Sequence, residues 1–199
     1  MFVWNFRIMP KLKDQNKVEA IHKATIELIT KTGFSGLKMA EVAKKSGVAT
    51  GTLYVYYKSK EELINDVYVN TKKEISRAII NPEYLKDTFY DTFKAMWYGY
   101  FGYCLKHPEK MMFVEQFIYS GFISEVNISV TESYFEALNQ FLIDGQKQGV
   151  IKDVDMEILK AYLQGSIHEI VKMVVKGAIE LQKNDMHTCF TMAWNSIRK

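Results

Sequence analysis

Residues 37–63, LKMAEVAKKSGVATGTLYVYYKSKEEL, leave few folds open to this chain. They read as two short helices joined by a tight turn, then the capped start of a longer helix. Met39, Val42 and Ala43 recur at helical spacing, and Ala43 is small enough to let a crossing helix approach. Ser46-Gly47 makes the turn, and Val48 follows as an apolar peg. The next helix, over 49–55, is too short and too polar to be a core element. It carries Thr50, Gly51, Thr52 and Tyr54, with Leu53 as its inward anchor and Tyr56 just beyond. Ser59 with Glu62 three residues later forms a capping box, reinforced by Glu61. This is the layout of a helix-turn-helix whose second helix is held out to a DNA groove.

Charge is distributed to match. The net charge is only +3. Residues 1–60 hold 11 Lys and Arg against 4 Asp and Glu, and the remaining 139 hold 15 against 19. A basic first third on a mildly acidic remainder fits an anion-binding module joined to a body that binds something else. A solvated lysine-rich surface is the plainer alternative on charge alone. Two cysteines, Cys104 and Cys189, fall in apolar helical stretches, which points to reduced thiols in a cytoplasm rather than a disulfide framework. No apolar run approaches the length of a membrane span. Residues 1–13 read as a loose arm whose Arg7, Lys11 and Lys13 are placed to touch phosphates. Met9 within it is an alternative natural start.

The periodicities predict an all-α chain of about nine helices. Asp14 caps the first, with Gly33 ending it. The second spans about 37–45 and the third about 49–55. The fourth runs from Ser59 to Asn81-Pro82, where Asn81 caps a following helix with Pro82 at its first position. Residues 84–104 form an aromatic helix, apolar on nearly every face of its later turns. His107-Pro108 breaks it and starts another through Phe117. A helix from about Ser124 through Tyr134 and Phe141 is stopped by Gly149. Asp153 caps a long one over about 156–182, and Asn184 or Asp185 caps the last, about 186–198.

Chemistry other than binding finds little support. Glu19 and His22 form half of a di-iron motif whose partner is missing, so no metal site is assigned. His107 reads as a helix cap and His187 as exposed. There is no H-E-x-x-H, G-x-S-x-G, phosphate loop or C-x-x-C, hence no catalytic residues, no cofactor and no enzyme. The aromatic and methionine-rich middle has two readings. One is the core of a helical body. The other is a cavity lined by Phe93, Trp97, Tyr100, Phe113, Phe117, Tyr134 and His168, suited to a small apolar or aromatic effector.

At residues 33–63 the pattern becomes specific. Gly33-Phe34, Met39 to Ala43, Ser46 to Tyr57 and Ser59 to Leu63 together resemble the DNA-binding domain of TetR-type bacterial transcriptional regulators. The resemblance covers about residues 16–74. It implies an N-terminal three-helix DNA-binding domain, over 14–74, and a divergent helical ligand-binding and dimerisation domain over 75–199. Carried over by position, it places Thr50, Gly51, Thr52 and Tyr54 on or beside bases. Tyr56 and Lys60 fall on phosphates, and Lys38 near the backbone. Two positions depart from the commonest pattern. Lys38 stands where Thr or Ser is frequent, and so does Ala49, which can touch a thymine methyl but donates no hydrogen bond. Tyr57, and in part Tyr54, also read as packing residues. The resemblance further implies a ligand-released repressor on a palindromic double-stranded operator, with the last two helices forming a homodimer interface. Intramolecular packing would give those helices a similar pattern. The alternative is a helical small-molecule- or partner-binding protein that does not act through DNA.

Overall fold

Asp14 starts the first helix as expected, its carboxylate accepting the Asn16 N–H at 3.1 Å. The computed structural model describes residues 14–122, 125–182 and 184–199, so the arm expected over 1–13 lies outside the described residues. Among them are ten α-helices and one three-residue 3-10 turn. The chain divides into two units, Met1–Ile64 and Asn65–Lys199. That division and the expected one at 74/75 both fall inside α4 (Lys60–Ile79).

In the first unit, α1 (Gln15–Gly36) contains Gly33 at φ +72°, where the helix breaks before one further turn. Next comes α2 (Met39–Ser46), closed by Gly47 at φ +72°, ψ 18°. This left-handed residue suits glycine, and it lets the Val48 N–H reach the Ala43 carbonyl at 3.1 Å. The chain then enters α3 (Thr50–Tyr56). Ile21, Ile29, Val42, Ala43, Leu53 and Tyr57 form the core. The Tyr57 hydroxyl lies 2.8 Å from His22 Nε2, so the half-motif histidine is a packing partner. Half of the capping box at the start of α4 forms, and the reciprocal contact is made one residue earlier, at Lys58. The Glu62 N–H donates to Ser59 Oγ at 3.1 Å, and the Glu62 carboxylate accepts from the Lys58 N–H at 2.7 Å.

The second unit begins within α4. Asn81 and Pro82 do start a helix, but it is the 3-10 turn Pro82–Tyr84. The aromatic helix α5 (Phe89–Lys106) starts later than expected, because Thr88 Oγ1 accepts the Asp91 N–H at 3.0 Å and so fixes its first turn. It is followed by α6 (Pro108–Phe117). The single helix expected over 124–149 is two, α7 (Glu125–Ser133) and α8 (Glu136–Lys147). The break at Tyr134-Phe135 follows a run of β-branched residues, Ser and Asn, all poor helix formers. There, too, the Lys72 ammonium sits 4.5 Å from the Phe135 ring centre.

Helix α9 (Met156–Val175) is capped by Asp155 rather than Asp153. The Asp155 carboxylate accepts from the Glu157 and Ile158 N–H groups at 2.9 and 3.1 Å. It ends well short of 182. Gly177 takes φ +69° and closes the helix, with the Ala178 N–H on the Met173 carbonyl at 2.9 Å. The last helix is α10 (Asp185–Ile197). An isolated antiparallel bridge between Ile151 and Arg198 fastens the α8–α9 connection to the chain end. Among the described residues no helix is long and apolar enough to cross a membrane.

Candidate nucleic-acid interface and effector site

Leu53 and Tyr57, four residues apart, turn one face of α3 inward, and both are fully buried. Away from that face Gly51 and Tyr54 are exposed, as are Thr50 in the first turn and Ala49 just before it. Thr52 is half-buried at the flank. A Cβ on Gly51 would meet nothing within 4 Å, so that position is open to an approaching surface. Val55 is the residue that sequence reasoning missed. It is 78% exposed, against 49% for Tyr54. Its position two residues past the inward Leu53 puts it on the opposite face, a signal its apolar character hid.

The flanking cations and phenol are placed as follows. Lys38 is exposed, within 3.8 Å of Glu41 in a pair too solvated to hold it firmly. Tyr56 is half-buried, and its hydroxyl oxygen accepts the Asp14 N–H at 3.2 Å. That leaves the hydroxyl proton as its own donor. Lys60, expected on phosphate, donates to the Ser35 carbonyl at 3.3 Å and so ties the start of α4 to the end of α1.

The two departures from the family pattern share a structural consequence. Lys38 and Ala49 occupy the N-cap positions of α2 and α3, and neither supplies a side-chain cap. Ala49→Ser is therefore expected to raise the unfolding free energy by about 1 kcal/mol, read from urea denaturation.

In the second unit six of the seven expected pocket residues fall into two clusters. Phe93 and Trp97 face α10, with the Phe190 ring centre 6.2 and 5.6 Å away and Trp194 5.8 Å from Phe93. Trp97 Nε1 is buried there without an acceptor among the described residues. The other cluster joins α4, α5, α6 and α9. Phe113 and Phe117 are fully buried, and Phe117 stacks on Tyr68 at 4.0 Å. Tyr100 and His168 meet through a 2.6 Å hydrogen bond. Tyr134 is half-buried at the α7–α8 break. Shallow depressions on the surface lie elsewhere, one against Leu105 and residues 177–181 and one along α8.

Burial holds the Tyr100 phenol protonated far above its ordinary range. Its hydroxyl lies 2.6 Å from His168 Nε2, and His168 Nδ1 lies 4.0 Å from Glu115. Burial also pulls the His168 pKa below its ordinary 6.5, against the attraction of Glu115. A base with a depressed folded pKa binds fewer protons than its unfolded form, so stability falls as pH drops below about 6.5. His168→Gln is expected to flatten that decline in denaturation curves measured between pH 8 and pH 5. Burial likewise pushes the Cys104 thiol up to about 12, which makes it unreactive. Cys104 and Cys189 are both free thiols.

Residues 21–67 match the model of the bacterial regulatory proteins of the tetR family, and residues 89–198 match that of the tetracyclin repressor-like C-terminal domain. A helix-turn-helix-type transcriptional regulator of Haemophilus influenzae is 22% identical over 182 residues, 91% of this chain and 95% of that one. A TetR family regulator from Marinobacter aquaeolei superposes with a TM-score of 0.88 at 24% identity, over 94% of this chain and 98% of that one. The Bacillus subtilis regulator FadR, solved in complex with stearoyl-CoA, superposes with a TM-score of 0.64 at 21% identity, over 81% and 89% of the two chains. With both halves matched in order and the outward face of α3 in place, the chain belongs to the TetR family and is a DNA-binding transcriptional regulator.

Proposed function

We propose that the chain is a ligand-released repressor that binds a roughly palindromic operator in the cytoplasm as a homodimer. The observation that carries the reading is the outward face of α3, where Gly51, Tyr54 and Val55 stand exposed, with Thr50 exposed in the first turn, over a helix anchored by Leu53 and Tyr57. Thr50, Thr52 and Tyr54 read base edges, and Ala49 and Val55 offer apolar contacts to thymine methyls. Gly51 admits the DNA backbone. Tyr56 gives its free proton to a phosphate, while Lys38 and Lys60 add charge. Two such helices enter successive major grooves about 34–36 Å apart.

The homodimer forms through α9 and α10. Ile158, Tyr162 and Met173 leave one face of α9 apolar and exposed, with Ala161 and Gly165 small between them, and Met192 does the same on α10. The effector is a small molecule with a large apolar part, received beside Tyr100, Phe113, Phe117, Tyr134 and His168. The stearoyl-CoA held by the Bacillus regulator supports a lipid-like ligand. Helix α4 begins at Lys60, beside the reading helix in sequence, and carries Tyr68 against Phe117. Effector occupancy therefore biases the setting of α4 and, through it, DNA affinity.

Footprinting on the DNA flanking the gene tests the reading, together with sedimentation of the free protein. The expected result is a protected region with dyad symmetry, a steep loss of binding with salt and a dimer in solution. A monomer, or an asymmetric single half-site, would overturn the palindromic reading.

A further inference from the structure

Four polar residues of α9, Lys160, Gln164, His168 and Lys172, recur every four positions and so share one stripe. The cations among them have partners. Lys160 Nζ lies 2.5 Å from Glu157 and 3.3 Å from Asn139 Oδ1. Lys172 Nζ lies 3.3 Å from Glu115 and 3.0 Å from Glu169. His168 is held by Tyr100.

Lys72, on α4, differs. Its ammonium stands 4.5 Å from the centre of the Phe135 ring, and among the described residues no carboxylate comes within the 4.0 Å of an ion pair. Glu132 attracts it from farther off and Lys160 repels it. Burial outweighs both and draws its pKa below the ordinary lysine range. The residue as a whole is part-exposed, and even partial removal of a cation from water with no carboxylate in contact carries a cost. Long lysine stems ordinarily avoid the cost by reaching back to solvent. Here an aromatic face takes the place of the missing anion, a weaker substitute.

The surroundings of Lys72 describe what would bind. Tyr68, one turn earlier on the same helix face, is buried and stacked on Phe117, which makes an apolar surface one turn from Lys72. Lys160 and Lys72 act on each other electrostatically, so two cations share the region, one of them without an acid of its own. The aromatic placeholder, Phe135, sits at the break between α7 and α8, outside regular helix, where a ring can be moved without breaking a helical turn.

We propose that Lys72 receives the anionic head group of an amphipathic effector, a carboxylate or a phosphate. The group displaces the Phe135 ring, and the apolar tail lies along Tyr68 and Phe117. This deepens, and rests on, the reading of the second unit as an effector-binding domain. Lys160 supplies the second positive charge. A neutral molecule of the same shape gains nothing from the ammonium, and a cationic one is repelled.

The test uses the full chain and a ten-carbon series at concentrations below micelle formation: decanoate, decyl phosphate, decanol and decylamine. Binding is followed by calorimetry and thermal shift. Decanoate or decyl phosphate is expected to bind at least about tenfold more tightly than decanol, and the stronger of the two identifies the head group. Lys72→Met is expected to erase that difference while leaving decanol binding unchanged. It should also raise the melting temperature of the ligand-free protein, because it removes the uncompensated charge and keeps the stem. Lys72→Gln carries the same comparison if the methionine variant does not fold. Decanol binding as tightly as the anions, or wild-type anion binding by both variants, would overturn the role of Lys72 and leave the effector reading standing. No binding by any of the four would overturn both.

Discussion

Gly99→Ala is expected to destabilise the second unit by about 2–3 kcal/mol, lowering its melting temperature by several degrees. Gly99 lies inside α5, where alanine would ordinarily gain about 1 kcal/mol in helix propensity. Here a Cβ would press into the Ala78 carbonyl oxygen and stand 2.7 Å from the Tyr84 ring. The Ala78 oxygen belongs to the backbone of α4 and cannot swing away as a side-chain tip can. The helices must part, and the loss of packing exceeds the gain in propensity. A Cβ at Gly102, three residues on in the same helix, would meet no atom within 4 Å. Gly102→Ala should therefore stabilise, by about 0.5–1 kcal/mol. Opposite signs in paired thermal and urea denaturation would establish the close approach of α4 and α5. Two shifts of the same sign would refute it.

Tyr54→Ala is expected to weaken operator binding by about 1–3 kcal/mol, roughly 5- to 150-fold. Unfolding free energy should change by no more than about 0.5 kcal/mol, because Tyr54 lies on the exposed side of α3 and the helix is held by Leu53 and Tyr57. The contrast that matters is between duplexes. A residue that reads a base loses affinity for the operator and leaves affinity for a scrambled duplex nearly intact. A residue that touches phosphate loses both alike and flattens the salt dependence. Fluorescence anisotropy with the two duplexes at two salt concentrations separates these cases. Equal losses on both duplexes would move Tyr54 from base reading to backbone contact.

The first unit is the more legible half, because its boundaries are set by local chemistry. Asp14, Gly33, Gly47 and Ser59 act through atoms a few residues away, and a short window of sequence contains all of that information. Farther along, the controlling contacts are distant in sequence. The poor helix formers at 126–133 weaken the segment ahead of Tyr134 without fixing the point of the break, which falls where Lys72 meets Phe135. Gly177 is visible as a small residue suited to close packing, yet its φ of +69° makes it the end of α9. In the candidate site, the periodicity of α3 already contains Val55, and the expectation that valine packs inward conceals it. The aromatic helix α5 is apolar on several faces, so composition alone cannot divide its rings between α10 and the His168 side. Lys72 carries no signal in its own neighbourhood, since its isolation from carboxylates is created by helices roughly 60 to 100 residues downstream.

The reading helix is held by little. It has seven residues, alanine at its N-cap and Leu53 as its one fully buried side chain. A helix that short does not persist alone in water. Its amides are expected at the weakly protected end of the molecule, exchanging with solvent through local openings rather than global unfolding. Contact of α3 with DNA is expected to close those openings, so that part of the contact free energy is consumed in ordering the protein. Operator affinity should then show a larger negative heat-capacity change than the area of the interface alone provides. A version of α3 stiffened from within would bind every duplex more tightly while discriminating among them no better.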